Sequence, residues 1–154
     1  MTRFPRRLAT VFLLALPLAA QQPAKASRER VLGIGGFFFK SRNPTALERW
    51  YRYNLGIATV PTSYDAKPWV QEAGPTAFAP FPDSTRYFGP REQMWMINFR
   101  VRNLAAMVKQ LAASGIAVKV DTTLYPNGRF ARLHDPDGNP IELWEPKPIG
   151  KSRP

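Results

Sequence analysis

Residues 135–146 have the sequence DPDGNPIELWEP, which divides into a turn followed by a strand. The first five residues all favour turns, because proline presets φ, glycine accepts a positive φ, and Asp and Asn side chains hydrogen-bond to nearby backbone. Residues 141–144 then favour a short apolar strand. Since residues 129–134 also favour a strand, the two segments predict a β-hairpin joined by a loop of several residues.

Glu142 lies in the middle of the apolar strand and is the first candidate for a functional residue. A carboxylate in such a strand carries a large desolvation cost unless it is solvated, paired with a cation or bound to a metal. Its role therefore depends on the residues that surround it. His134, the single histidine of the chain, is interpreted as a partly exposed residue at a strand end, with an acid–base or ligand role as the alternative.

The chain contains two copies of a strand–helix unit. Each copy has an apolar strand, an asparagine followed by a helical pattern, and a glycine that ends the helix, in the order expected for a capped helix. The segment around Asn43 aligns with the segment around Asn103 at an offset of 60 residues, and the two terminal glycines align at an offset of 59. This pattern predicts helices at 44–55 and 104–114.

Strand-like segments surround each helix, so each half of the chain has the order βαβββ. The predicted repeats span residues 31–81 and 94–146. A single unit of this kind cannot bury its own sheet face, so two units must pair. The predicted fold class is α+β, with two paired βαβββ modules that form an open, barrel-like cleft. The expected strands are residues 31–39, 57–60, 69–71 and 76–81 in the first repeat, and 94–101, 117–120, 129–134 and 141–144 in the second.

The paired units and the closing hairpin DPDGNPIELWEP resemble the vicinal oxygen chelate superfamily, which contains glyoxalase I, the extradiol dioxygenases, and the bleomycin and fosfomycin resistance proteins. The resemblance covers residues 31–146 and implies a glyoxalase/bleomycin-resistance/dioxygenase-like domain whose cleft holds a small organic molecule. In metal-dependent members, the glutamate at the position of Glu142 is a metal ligand. The resemblance does not single out one reaction, because one fold supports several chemistries.

The resemblance also places metal ligands on the first strand of each repeat and on the last strand of the first repeat. The first two positions hold Gly36 and Met96, and residues 73–82 contain no acid. Glycine has no side-chain donor, methionine is a soft ligand unsuited to hard or borderline metals, and one carboxylate does not hold a catalytic metal. The sequence therefore predicts no metal site and no cofactor, and a divalent metal is disfavoured.

Alternation along the strands predicts which side chains share the environment of Glu142. Asn98 and Arg100 are the candidates to hydrogen-bond or to neutralise the carboxylate, and a purely structural contact without a ligand is the alternative. The aromatic residues Tyr87 and Phe88 lie in the irregular middle of the chain, where loops that cover a cleft are expected. The predicted ligand-binding cleft contains Gly36, Phe38, Met96, Asn98, Arg100, Glu142 and Trp144, with Glu142 as the candidate catalytic residue.

Two functions from different classes fit the sequence. The first is a binding or sequestering module without a metal, which the loss of the ligand positions favours. The second is an enzyme, either a lyase, isomerase or dioxygenase with a rebuilt metal site, or a metal-free acid–base catalyst that uses Glu142. The metal content of the purified protein separates the two.

The expected partners are a small-molecule ligand and a second copy of the chain. Single-module relatives commonly pair, so a homodimer is predicted. The net charge of +11 comes from basic residues that are spread along the chain. Nucleic-acid binding requires a clustered basic stripe or a known motif, and the sequence has neither, so no nucleic-acid partner is expected.

The first 26 residues have the composition of a secretory signal peptide, with three arginines, then an apolar run, then small residues. They hold four of the 22 basic residues and none of the 11 acidic ones, so the remainder carries a net charge of +7. An uncleaved membrane anchor is the alternative, but the apolar run is short for a full span. With no cysteine, the exported protein must be stabilised by packing and not by disulfides. Residues 27–30 are a predicted linker and residues 147–154 a basic tail.

We expect residues 1–26 to be removed on export to the periplasm or the medium, after which the protein has no membrane partner. N-terminal sequencing of the protein from its native host should start after Ala20 or after Ala26, because both positions end runs of small residues typical of cleavage sites. Soluble cytosolic protein that still begins at Met1 would contradict this prediction.

Overall fold

The computed structural model describes residues 29–58, 60, 61, 63 and 65–147. The predicted signal peptide, the first half of the predicted linker and all of the predicted tail after Lys147 lie outside the described residues, so these assignments stay predictions. The chain divides into two units, Met1–Phe37 and Phe38–Pro154. The described residues of the first unit form no helix and no strand.

The described part of the second unit contains two helices and four strands. The elements are α1 (Pro44–Leu55), β1 (Ile97–Arg100), α2 (Leu104–Ala113), β2 (Lys119–Val120), β3 (Gly128–His134) and β4 (Pro140–Pro146). The strands form one sheet in the order β1-β4-β3-β2, with β1 parallel to β4 and the other two pairs antiparallel. The sheet is open and is not closed into a barrel. The α+β class predicted from the sequence is confirmed.

Both helices begin and end within one residue of their predicted limits. The side chains of Asn43 and Asn103 cap the N-termini, each accepting a hydrogen bond from the backbone N–H three residues later, at 3.1 and 2.9 Å. Gly56 ends α1 in the left-handed conformation, with φ at 69°, which glycine adopts without the steric penalty of a Cβ. The two helices have 12 and 10 residues, and no helix in the described part of the chain is long and apolar enough to cross a membrane.

The sheet is formed by the second predicted repeat, in the order βαβββ. The described residues at the four strand positions of the first repeat lie outside the sheet and form no strand. Three glycines in residues 31–39, and prolines at 61, 68, 75 and 80, flank or interrupt these segments. Glycine weakens a strand and proline cannot donate to a ladder, so apolar composition alone overestimates strand content here. The pairing of two complete modules stays a prediction.

One face of the sheet and both helices share a single hydrophobic core. Successive side chains of a strand point to opposite faces, and the core residues of β3 and β4, which are Ala131, Leu133, Ile141 and Leu143, follow this period of two. The buried cluster consists of Leu47, Tyr51, Leu104, Leu111, Ala131, Leu133, Ile141 and Leu143. The helices therefore cover one face of the sheet, and the other face is left for the side chains that alternate with this set.

The carboxylate of Asp135 connects the β3–β4 turn to α1. Asp135 is 5% exposed, and its Oδ1 accepts hydrogen bonds from the backbone N–H groups of Asp137 and Asn139, both at 2.9 Å. Its Oδ2 accepts from Asn139 Nδ2 at 2.7 Å and from the hydroxyl of Tyr51 at 2.9 Å. These four donors match the four lone-pair sites of a carboxylate, so the charge is buried without an unsatisfied oxygen.

Asp137 makes a second connection between the same turn and the start of α1. Its Oδ2 accepts from Ser41 Oγ at 2.6 Å and from the backbone N–H of Arg42 at 3.2 Å, and its Oδ1 accepts from Arg42 Nε at 3.3 Å. The hydrogen bond from Ser41 is the main reason that the pKa of Asp137 lies below its ordinary value. The turn therefore holds the helix of the first repeat against the hairpin of the second.

We expect Tyr51→Phe to lower the free energy of unfolding by about 1–3 kcal/mol, because it leaves a buried carboxylate one donor short. Tyr53→Phe is the matched control, since Tyr53 lies on the same helix and is 83% exposed; it should stay within about 0.5 kcal/mol of the unmodified protein. Urea unfolding at pH 7 measures both values. Equal stability of the two variants would contradict the role assigned to Asp135.

Candidate functional site

The sheet face opposite the helices carries charged and aromatic side chains. The strand register arranges them in two rows that cross the sheet. The polar row consists of Asn98 on β1, Glu142 on β4, Arg132 on β3 and Lys119 on β2. The aromatic row consists of Arg100 on β1, Trp144 on β4 and Phe130 on β3. These two rows form the candidate site.

Glu142 lies in the polar row and is 5% exposed. Its Oε1 accepts hydrogen bonds from the hydroxyl of Tyr87 at 2.8 Å and from Nη2 and Nε of Arg132 at 3.2 and 3.3 Å. Its Oε2 accepts from Asn98 Nδ2 at 2.8 Å. A buried charge of this kind persists only when a counter-charge and further hydrogen bonds offset its desolvation. Here all of these groups come from the protein itself.

The ion pair of Glu142 differs from the one that the sequence indicated. Arg100 lies two residues beyond Asn98 on β1 and is opposite Trp144, so it is about 6.6 Å further along the strand. Arg132 lies directly opposite Glu142 in the β3–β4 ladder, where Cβ atoms are about 5 Å apart. Arg132 is therefore the counter-ion, and the expectation for Arg100 is wrong. The predicted hydrogen bond from Asn98 is present.

The sequence could have predicted Arg132 as a partner of Glu142, but it could not have predicted Tyr87. Residues equally far from the turn of an antiparallel hairpin face each other. His134 pairs with Pro140, so two residues further out Arg132 must face Glu142. Tyr87 is 55 residues from Glu142 and is positioned by irregular chain, which has no periodic pattern to indicate a partner.

Tyr87 belongs to the irregular segment in which the sequence predicts covering loops. The guanidinium carbon of Arg132 lies 4.0 Å from the centroid of its ring, and Arg132 Nη1 donates to the Tyr87 carbonyl oxygen at 3.1 Å. Phe81 stacks on the same ring, with 5.4 Å between centroids. Burial, and next the hydrogen bond to Glu142, raises the pKa of Tyr87 above its ordinary value of 10.0. The hydroxyl is therefore protonated at neutral pH and donates to Glu142.

The side chains around Glu142 do not fit a metal ion. Both of its oxygens face hydrogen-bond donors, and Arg132 is a cation that repels a divalent ion at this distance. Met96, directly before β1, offers a thioether, which hard and borderline divalent metals disfavour. Nowhere in the described part of the chain do three His, Cys, Asp or Glu side chains come close enough to bind a metal. The donor set is that of a charge-assisted carboxylate–guanidinium pair.

The other predicted cleft residues differ in their placement. Trp144 lies on the same face as Glu142. Phe38 is 89% exposed and lies outside the sheet, and Gly36 belongs to the first unit, so their assignment to a ligand cleft stays a prediction. His134 is exposed at the end of β3, as expected.

Two surface concavities lie away from the two rows. One, of about 540 Å³, is lined by Arg49, Arg52 and Tyr53 on α1. The other, of about 340 Å³, lies between α2 and the β2 edge, and Val108, Val120 and other residues line it. Neither contains a residue of the polar or the aromatic row.

The sequence model of the glyoxalase-like domain family matches residues 36–144. This range includes both helices, the first three strands, most of β4, and every residue of the polar and aromatic rows. The match agrees with the superfamily resemblance carried by the closing hairpin. A comparison with curated proteins gave no significant match.

Several solved structures resemble part of the chain. A glyoxalase family protein from Bacillus anthracis is 29% identical, over 36% of this chain and 44% of its own, with a TM-score of 0.32. TnmS3, an antibiotic binding protein from a Streptomyces species, is 32% identical, over 36% of this chain and 46% of its own, with a TM-score of 0.32. A glyoxalase family protein from Enterococcus faecalis is 24% identical, over 42% of this chain and 52% of its own, with a TM-score of 0.33. The chain thus spans about half the length of these relatives.

We expect Tyr87→Phe to reduce the free energy of unfolding at pH 7 by about 1 kcal/mol, because it removes a hydrogen bond to a charged group that is partly screened by solvent. Since the folded-state pKa of Tyr87 lies above its ordinary 10.0, this contribution is fully present below pH 10.0 and is lost as the pH rises through the folded-state value. The difference in free energy of unfolding between the unmodified protein and Tyr87→Phe should therefore narrow above pH 10.

Urea unfolding of both proteins from pH 7 to pH 11 measures this difference. Tyr53→Phe is again the control, because Tyr53 is exposed and should show no such narrowing. A gap between the unmodified protein and Tyr87→Phe that stays constant or widens above pH 10 would refute the assigned hydrogen bond.

Proposed function

Because the chain belongs to the glyoxalase-like domain family, we propose that it is an exported protein that binds a small organic molecule on the Glu142 face without a catalytic metal. The observation that carries the proposal is the state of the Glu142 carboxylate. Arg132, Asn98 and Tyr87 all donate to it. The residue that corresponds to a metal ligand in the metal-dependent members of the superfamily therefore connects the sheet to its covering segment here.

The energetics of the pair support this use of Glu142. The side chain of Glu142 is 7% exposed and that of Arg132 is 40% exposed, so a metal ion could reach the carboxylate only if the guanidinium moved away. Removal of one partner from a buried pair is strongly destabilising, because it leaves an uncompensated charge. A divalent ion at this position would have to replace both the charge of Arg132 and its stacking on Tyr87.

The composition of the face suits a small organic ligand. Binding sites for such molecules are mostly apolar and aromatic, with a few placed polar groups. The aromatic row offers the rings of Trp144 and Phe130, and the polar row offers donors on the exposed side chains of Asn98 and Lys119. The segment that contains Phe81 and Tyr87 lies over the polar row through the hydrogen bond to Glu142.

Export and self-association complete the proposal. Export is supported by the basic, apolar and small residues in sequence at 1–26. A homodimer is supported by the frequency of two-fold pairing among soluble proteins. The enzyme alternative, a lyase, isomerase or dioxygenase with a rebuilt metal site, is separated from binding by the experiment that follows.

We expect the protein, purified without chelators and without a histidine tag, to contain no stoichiometric metal by elemental analysis. Titration with zinc, nickel, manganese and iron(II) should show no tight site, because Arg132 occupies the carboxylate. Glu142→Gln should lower the free energy of unfolding by about 1–3 kcal/mol, since it leaves Arg132 without its counter-ion while the 40% exposed guanidinium stays partly solvated, and should leave metal content unchanged.

Glu48→Gln is the matched control, because Glu48 is exposed on α1 and should change neither quantity. Stoichiometric metal in the unmodified protein that is lost in Glu142→Gln, but retained in Glu48→Gln, would overturn the proposal. That outcome would assign Glu142 to a metal centre and favour the enzyme.

A further inference from the structure

The aromatic row contains a fixed platform of two rings. Phe130 and Trp144 face each other in the ladder, and their rings are parallel to within 2°, with 6.2 Å between centroids. The indole Nε1 of Trp144 donates to the carbonyl oxygen of Asn127 at 3.0 Å, and Tyr125 packs edge-on against Phe130 at 5.4 Å. Both platform rings are partly exposed, so they present apolar surface to solvent in one orientation.

Gly128 allows this orientation of the indole. It has φ at 141°, a conformation in which side chains are strained, and a Cβ at this position would clash with the carbonyl oxygen of Glu145 and lie 2.7 Å from Trp144 Nε1. The close approach requires glycine. The indole is thus held against the β3 backbone by both a hydrogen bond and the absence of a side chain, which indicates that its orientation is fixed before a ligand arrives.

Arg100 lies beside this platform and carries an unneutralised charge. It is opposite Trp144 in the β1–β4 register, and its Nη2 donates to the backbone carbonyl oxygen of Glu72 at 2.6 Å. The carboxylate of Glu72 pairs instead with Arg102. Within the described residues Arg100 forms no ion pair, but its guanidinium also lies against the backbone of Gly74, in the space that a Cβ there would occupy. Of its five donors, those not directed at Glu72 and Gly74 are left for a planar carboxylate.

The whole face has a surplus of positive charge. The two rows contain the cations Arg100, Arg132 and Lys119 and one acid, Glu142, and Asp121, which follows β2 beside Phe130, adds a second acid. Because Arg132 already pairs with Glu142, Arg100 and Lys119 are the cations without an ion pair among the described residues, and Asp121 offsets only one of these two charges. Of these two, Arg100 is half-buried and Lys119 is exposed, so the stronger and more specific contact is expected at Arg100.

Building on the proposed binding function, we propose that the ligand is a flat aromatic anion of the carboxylate class. Its ring stacks on the Trp144–Phe130 platform, and its carboxylate accepts hydrogen bonds from the donors of Arg100 that are not directed at Glu72 and Gly74. Stacking supplies affinity for any flat aromatic molecule, whereas the charge-assisted hydrogen bonds of Arg100 discriminate in favour of the anion. Arg100 is thus the residue that determines specificity.

The test uses 2-naphthoate and its neutral isostere 2-naphthamide, with affinities measured by titration calorimetry on the full mature chain. We expect 2-naphthoate to bind at least tenfold more tightly than the amide, and Arg100→Gln to remove about that factor for the acid while leaving the amide unchanged. Arg102→Gln is the matched control, because Arg102 is exposed and pairs with Glu72, and it should retain the preference. Trp144→Leu should weaken both probes.

A second measurement needs no variant and so does not depend on folding of Arg100→Gln. The affinity for 2-naphthoate should fall as the salt concentration rises from 50 to 500 mM, and that for the amide should stay constant. Equal affinities for acid and amide, or an unchanged preference in Arg100→Gln, would overturn the role of Arg100 while the proposed binding function stands. Failure of both probes to bind would overturn the platform, and the metal titration then decides the proposed function independently.

Discussion

Four donors surround the buried carboxylate of Asp135, and one of them, the hydroxyl of Tyr51, is 84 residues away in sequence. The other three come from the turn itself. This carboxylate therefore closes the turn and attaches it to α1 at the same time. Burial and the charge of Asp135 raise the pKa of Tyr51, so the phenol is protonated at neutral pH and donates to Asp135.

A closed turn sets the register of the hairpin, and the register sets the site. With His134 opposite Pro140, the pairs Arg132–Glu142 and Phe130–Trp144 follow on one face. A slip of one residue would transfer every one of these side chains to the helix face. The location of the polar and aromatic rows is thus a consequence of hydrogen bonds at the turn, about two and four residues away along each strand.

A cross-strand ion pair connects β3 and β4 on each face of the hairpin. Arg132 pairs with Glu142 on the open face, and Arg129 pairs with Glu145 on the helix face, each directly across the ladder. Glu145 also accepts a hydrogen bond from the backbone N–H of Leu104 at 2.6 Å, where the N-terminus of a helix favours a negative charge. The ion pair with Arg129, and next that hydrogen bond, lowers the pKa of Glu145. Each acid on β4 is thereby neutralised by its neighbour on β3.

The sequence by itself determined the elements whose causes are local. The caps Asn43 and Asn103, the stop at Gly56 and the turn at 135–139 depend on residues within four positions of one another, so their chemistry is visible in the chain. The symmetry of the hairpin would also have identified Arg132, because residues equally far from the turn face each other.

Tertiary structure decided which segments became strands and which side chains met. The apolar segment at 31–39 has strand composition but lies outside the sheet, because a strand is stabilised by a partner and not by its own sequence. The contact of Tyr87 with Glu142 spans 55 residues and the contact of Arg100 with Glu72 spans 28, and irregular chain has no period from which such contacts follow. The sequence therefore determined that the carboxylate of Glu142 is at the centre of the site. The fold determined that the guanidinium of Arg132 neutralises this carboxylate and that the phenol of Tyr87 donates a hydrogen bond to it.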